Sequence, residues 1–193
     1  ESAEKILHRA EDQMYRRKIF DKSNYHSGLV ELILEALYSR SATEEAHSKR
    51  VARLSEALGR VMGLGQPKID RLVSAAVMHD IGKIAVRGKV LEKKGPLDET
   101  EWEEVKRHPD VGYSILGSAN EYNLLAEIVL AHHERWDGKG YPRGLRGEGI
   151  PLLSRVIAVA GAYDAMVSER PYREAMSREE AVAELRRCAG AQF

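Results

Sequence analysis

The chain has 193 residues, 43% of them hydrophobic, with 30 Lys and Arg set against 30 Asp and Glu. That length and apolar fraction exclude a disordered chain and bound the fold to one domain plus a short appendage. A formal net charge of zero excludes broad electrostatic binding to nucleic acid or to an anionic membrane, leaving local basic clusters as the only such surfaces.

Cys188 is the only cysteine, so no internal disulfide is expected and a reducing, cytoplasmic location is the simpler expectation. No apolar run approaches the roughly 18 residues of a spanning helix. The charged, amphipathic start does not read as a secretory leader. Beginning at Glu1 and stopping at Phe193, the sequence reads as a piece of something longer, truncated at its C-terminus.

No sustained alternation marks a strand, and helical spacing recurs instead. Residues 1–24 read as a separate segment and residues 25–193 as the main domain. Leu29 to Tyr38 reads as a helix whose surplus of apolar positions predicts a homodimer contact. Val51, Leu54, Leu58 and Val61 follow the spacing of one buried stripe. Ile69, Leu72, Val73, Ala76 and Val77 form a second, entered through Pro67. Glu99 to Leu116 reads as one helix. A third stripe runs Leu124, Leu125, Ile128, Val129 and a fourth Val156, Val159, Ala160, Tyr163, with a last helix over Ser177 to Arg187. Lys94-Gly95-Pro96 and the stretch from Asp137 to Pro151, with five glycines and two prolines, read as loops. The expected fold is an all-α bundle carrying one long Gly-rich loop.

Histidine placement carries the chemistry. His47 precedes Val51 by four residues and Leu54 by seven, so it lies on an apolar face. His79 and Asp80 end the second stripe, His108 stands before Pro109, and His132 and His133 follow Ile128 and Val129 by four. A single buried histidine is most often a core residue with a satisfied hydrogen bond. Five of them with an adjacent Asp are different, because each unpartnered ring would cost on the order of 1–3 kcal/mol. A shared metal site satisfies them together. Imidazole and carboxylate donors suit Fe, Mn, Zn or Ni, and the number of donors suits two ions with Asp80 between them.

His79-Asp80-Ile81-Gly82-Lys83 resembles a His-Asp-x-Gly-Lys signature, and Gly140-Tyr141-Pro142 resembles the GYP signature of HD-GYP domains. His132-His133-Glu134-Arg135-Trp136-Asp137-Gly138-Lys139 between them is similar to the family's central motif, and the similarity runs from about His47 to Phe193. The resemblance implies an HD-type helical bundle and a bacterial signalling enzyme that hydrolyses cyclic di-GMP to linear pGpG or to GMP with two or three divalent cations. It implies His47, His79, Asp80, His108, His132 and His133 as metal ligands, and Asp80 and Lys83 as catalytic residues. Lys83, Arg170 and Arg173 would hold phosphate, since guanidinium matches it bidentately. Tyr141 would stack on guanine or pin its own loop. Residues 10–18, Ala-Glu-Asp-Gln-Met-Tyr-Arg-Arg-Lys, resemble the closing helix of GGDEF domains; the same segment reads equally as an amphipathic linker. An upstream sensory or GGDEF-like domain, membrane-tethered or not, would be the partner that regulates it.

Two departures bear on activity. In Ala158-Val159-Ala160-Gly161-Ala162-Tyr163-Asp164, Gly161 stands where the family carries a ligand Asp, so the first cation, on His47, His79 and Asp80, is expected to be weak. Asp164, one turn on, would substitute poorly. Thr43 stands where three-metal members carry Glu, and Glu44 beside it is turned by about 100°, so two ions are expected. Two other functions remain open. One is a different phosphohydrolase of the wider HD superfamily. The other is a catalytically degenerate domain that binds cyclic di-GMP or a partner, a reading that Gly161 favours.

Overall fold

Helix-spaced apolar residues produce a helical molecule, with no strand among the described residues. A computed structural model describes residues 25–169 and 174–193. The segment resembling a GGDEF helix, together with Arg170 and Arg173, lies outside the described residues.

The first helix, α1 (Tyr25–Arg40), leads directly into α2 (Ala42–Val61), whose N-cap Ser41 accepts a hydrogen bond from the Glu44 N–H. Pro67 opens α3 (Gln66–Met78), which packs against α2. A 3-10 turn over Ile81–Ala85 follows, then the short α4 (Gly88–Leu91). Next come α5 (Glu99–Lys106), α6 (His108–Gly117) and α7 (Asn123–Leu130). After the Gly-rich loop, α8 (Leu152–Val167) returns to lie on α2, and α9 (Arg178–Arg187) starts at a Ser177–Glu180 capping box. The core gathers Val51, Leu72, Met78, Ile81, Val129 and Ile157, all buried.

Three hydrogen bonds from α1 brace the end of α3 and the turn that follows it. Tyr38 Oη donates to the Val77 carbonyl at 3.0 Å, while Arg40 donates to the carbonyls of Ile84 and Val86 at 2.8 Å each. The turn after Asp80 also sits hard against α6. A Cβ at Gly82 would meet the His108 carbonyl oxygen at 1.9 Å, so only glycine permits that approach.

Several expected elements shift. Glu99 to Leu116 is two helices, broken at Arg107. Pro109 has no N–H to return to the Val105 carbonyl, so the α-helical ladder stops there. Val61, expected in the first stripe, is 88% exposed at the end of α2, whose buried face is Ser48, Val51, Ala52, Ser55 and Gly59. Leu124 is exposed while Leu125, Ile128 and Val129 are buried. On α8 the buried face is Val156, Ile157, Ala160 and Asp164, rotated from the expected Val159 and Tyr163.

Candidate metal centre

His79, His108 and His132 are set by the same local device. Each follows the last turn of a helix, where carbonyls lack intrahelical partners. Each Nδ1 hydrogen bonds to the carbonyl three residues earlier: Ala76 at 2.7 Å, Val105 at 2.7 Å and Val129 at 2.5 Å. A carbonyl only accepts, so Nδ1 carries the proton and the ring turns Nε2 inward. For His108 this is the carbonyl that Pro109 cannot reach.

The inward nitrogens converge on Asp80, which is 3% exposed. Its two oxygens divide the site. Oδ1 lies 3.2 Å from His108 Nε2, whereas Oδ2 lies 3.1 Å from His79 Nε2 and 3.8 Å from His47 Nε2. Two donor groups result, His47–His79–Asp80 and Asp80–His108–His132–His133, the ligand atoms of each lying within 4.8 Å of one another.

Two ring nitrogens face each other across this centre. His108 Nε2 and His132 Nε2 are 3.2 Å apart. Burial, and then the neighbouring His133, hold His132 well below the usual histidine range; burial and then His108 push His133 down to about 3. Those rings are neutral at physiological pH and present bare nitrogens. Burial alone would raise Asp80, but His79 and Lys83 outweigh it and keep the carboxylate ionised. A buried carboxylate surrounded by imidazole nitrogens could hold a divalent cation.

Around this centre the structure places the other expected residues. Lys83 Nζ donates to Asp80 Oδ2 and to Glu44 Oε2, each at 2.9 Å. Burial disfavours the ammonium, yet Asp80 and Glu44 more than offset that and raise its pKa. The Tyr141 ring stacks on His133, centroids 4.8 Å apart and planes 21° from parallel, which locates its contact on a histidine and its own loop. Gly161 contributes no side chain, and a Cβ built there meets nothing within 4 Å.

Three residues have roles that the sequence did not give. Asp164, 2% exposed, accepts from His47 Nδ1 at 2.7 Å and from Arg50 Nε at 2.5 Å. Burial would raise its pKa, but the hydrogen bonds from His47 and Arg50 bring it down to about 2. Its place in the stripe with Ile157 and Ala160 was the available signal. Glu44, expected to turn away, reaches Lys83 because it precedes His47 by three residues, which is also a same-face spacing. Glu134 is buried and accepts the backbone N–H groups of Arg143 at 2.7 Å and Leu145 at 2.9 Å, folding the Gly-rich loop back over the site. Gly140 completes that return, since a Cβ there would lie 2.4 Å from Arg135 N.

The HD domain profile matches residues 29–193. The chain is 42% identical over 153 residues to the cyclic di-GMP phosphodiesterase of Thermotoga maritima, covering 78% of this chain and 42% of that one. It is 35% identical over 167 residues to the 3'3'-cGAMP-specific phosphodiesterase 2 of Vibrio cholerae, covering 86% of this chain and 32% of that one. The chain thus spans less than half the length of these relatives. A HDG"Y"P protein from Bdellovibrio bacteriovorus shares the fold, with a TM-score of 0.64 at 23% identity, over 87% of this chain and 57% of that one. Helical architecture, the His-Asp centre and the profile agree: the chain belongs to the HD-domain family.

Proposed function

We propose that residues 25–193 form an HD-GYP domain that hydrolyses a cyclic dinucleotide, cyclic di-GMP, to linear pGpG or onward to GMP. The observation that carries this reading is Asp80 shared between two donor groups, one oxygen turned to each. His47, His79 and Asp80 would hold a first cation, and Asp80, His108, His132 and His133 a second, with Fe or Mn favoured by the nitrogen and carboxylate donors. Two such cations, when bound, would supply an activated water near neutral pH and neutralise charge at phosphorus.

The chain's own residues do the rest. Asp80 keeps the two donor groups in fixed relation. Lys83, held between Glu44 and Asp80, presents an ammonium beside the donors and would meet a phosphate oxygen or the leaving oxygen. Arg170 and Arg173 would grip the second phosphate bidentately. Tyr141 keeps His133 in place by its ring contact. Hydrolysis breaks a P–O3′ bond: water's oxygen joins phosphorus, and its proton ends on the freed 3′-hydroxyl.

Gly161 favours a second reading, a domain that binds the dinucleotide and turns it over slowly or not at all. Retained Lys83 serves both. None of the described helices is long and apolar enough to cross a membrane, and the domain would work in the cytoplasm, alone or as part of a tethered sensor. An upstream sensory or GGDEF-like domain and a second copy along α1 are the partners this reading expects; nucleic acid is not among them. The test is hydrolysis and binding of cyclic di-GMP, 3'3'-cGAMP and cyclic di-AMP by anaerobically prepared protein, with Asp80→Asn as control. Turnover of cyclic di-GMP lost in the control supports the enzyme. Tight binding without turnover supports the second reading.

A further inference from the structure

Asp164 occupies the α8 face that lies on α2, one helical turn beyond Gly161. It has a carboxylate, it is buried, and it touches a donor of the first group, so it invites assignment as a replacement ligand for the residue missing at 161. Its geometry says otherwise. Oδ2 receives the hydrogen bond from His47 Nδ1 at 2.7 Å and another from Arg50 Nη2 at 3.0 Å, while Oδ1 receives Arg50 Nε at 2.5 Å. Both oxygens are committed. Asp164 also contributes no atom to either convergent donor group.

His47 needs such a partner more than His79, His108 and His132 do. His79, His108 and His132 have their tautomer fixed by carbonyls three residues back. His47 lies inside α2, where the preceding carbonyls are used by the helix, so no backbone acceptor is available to it. Among the described residues Asp164 is the one that holds its Nδ1–H and thereby turns Nε2 toward Asp80 Oδ2. Arg50, three residues on from His47, sits on the same face and grips the carboxylate with two nitrogens, so Asp164 cannot swing away.

We propose that Asp164 and Arg50 are a positioning pair for His47, the side-chain counterpart of the carbonyls that set His79, His108 and His132, and that Asp164 is not a stand-in ligand. The proposal rests on the metal-centre reading above. It states which residue sustains the first donor group in a chain where position 161 offers nothing. Loss of an outer partner of this kind costs roughly 10–100-fold in metal affinity.

The test uses the full chain stripped of metal and titrated with Mn(II) by calorimetry, in four forms: unchanged, Asp164→Asn, Gly161→Asp, and the double variant. Asn is isosteric, but it cannot accept from both His47 and Arg50 through two oxygens. The expected result is a weaker first cation, by about 10–100-fold, in Asp164→Asn, with the second cation unchanged. The same loss is expected in the Gly161→Asp background. Were Asp164 a substitute ligand, supplying Asp at 161 would make Asp164→Asn neutral, and that outcome overturns the proposal. Imidazole nitrogen shifts measured by NMR on the metal-free protein give a second readout. His47 is expected as the Nδ1–H tautomer, changing in Asp164→Asn and partly retained in Arg50→Lys. An unchanged tautomer in Asp164→Asn also overturns it. If no form binds Mn(II), the metal reading fails while the His47 tautomer still decides the positioning role.

Discussion

His108 Nε2 and His132 Nε2 face each other across 3.2 Å, each ring held in that orientation by a hydrogen bond from its other nitrogen to a backbone carbonyl. A cation held between these nitrogens would bind the folded chain and not the unfolded one. Because the cation binds the folded chain, stability should rise by RT ln(1 + [L]/Kd), about 2.7 kcal/mol at a hundredfold excess over Kd. For a chain of this size that is a rise of roughly 5–10 °C in Tm. Differential scanning calorimetry with and without Mn(II) measures it, and His132→Ala should abolish most of the shift.

Tyr141 acts on the second donor group through its ring. Replacing it with Phe keeps the stack on His133 and should leave metal affinity within about twofold. Replacing it with Ala removes a ring contact of roughly 0.5–1.5 kcal/mol and should weaken the second cation by about 2–10-fold. Equal behaviour of the two variants in an Mn(II) titration would refute the positioning role of the ring.

Glu134 holds the return of the Gly-rich loop with both carboxylate oxygens. Glu134→Gln turns one of them into a donor facing a backbone donor, leaving a buried N–H unpaired at a cost of about 1–3 kcal/mol. Thermal unfolding should register that loss. Amide exchange at Arg143 and Leu145 should accelerate while exchange in α2 and α3 stays slow.

Gly82 is where the turn after Asp80 meets α6. Ala there places a Cβ 1.9 Å from the His108 carbonyl oxygen, with Gly112 N at 2.6 Å behind it. Backbone must move, so destabilisation should reach or exceed the ~1–3 kcal/mol of an overpacked core. Ala at Gly161, where nothing lies within 4 Å, should instead stabilise by up to about 1 kcal/mol. Chemical denaturation of the two variants gives the comparison.

How legible the site was depends on which local rule places each residue. His79, His132 and His133 end apolar stripes, and the same periodicity that predicts their helices predicts their inward aim. His108 was legible from Pro109, although the consequence, a broken helix and a carbonyl free to orient the ring, required the tertiary arrangement. Asp164 was expected to be a poor substitute ligand, and it contributes to neither donor group; its hydrogen bonds to His47 and Arg50 required the packing of α8 on α2. Glu44 was judged by one helical offset, four residues from His47, when the three-residue offset lies on the same face. Glu134 was not legible at all: its partners are backbone N–H groups nine and eleven residues away in a loop without periodicity. Val61 and Leu124 failed for a simpler reason, since apolar residues at a stripe's edge or a helix end are often left exposed.

In the proposed reading Gly161 is the point on which catalytic competence turns, and its surroundings leave room for an Asp side chain, with nothing within 4 Å of a Cβ there. Metal content by elemental analysis, with cyclic di-GMP hydrolysis on the same anaerobically prepared samples, should be compared for the chain and for Gly161→Asp. The account predicts roughly one ion and little turnover in the chain, and roughly two ions with restored turnover in the variant. No metal in either protein would contradict it.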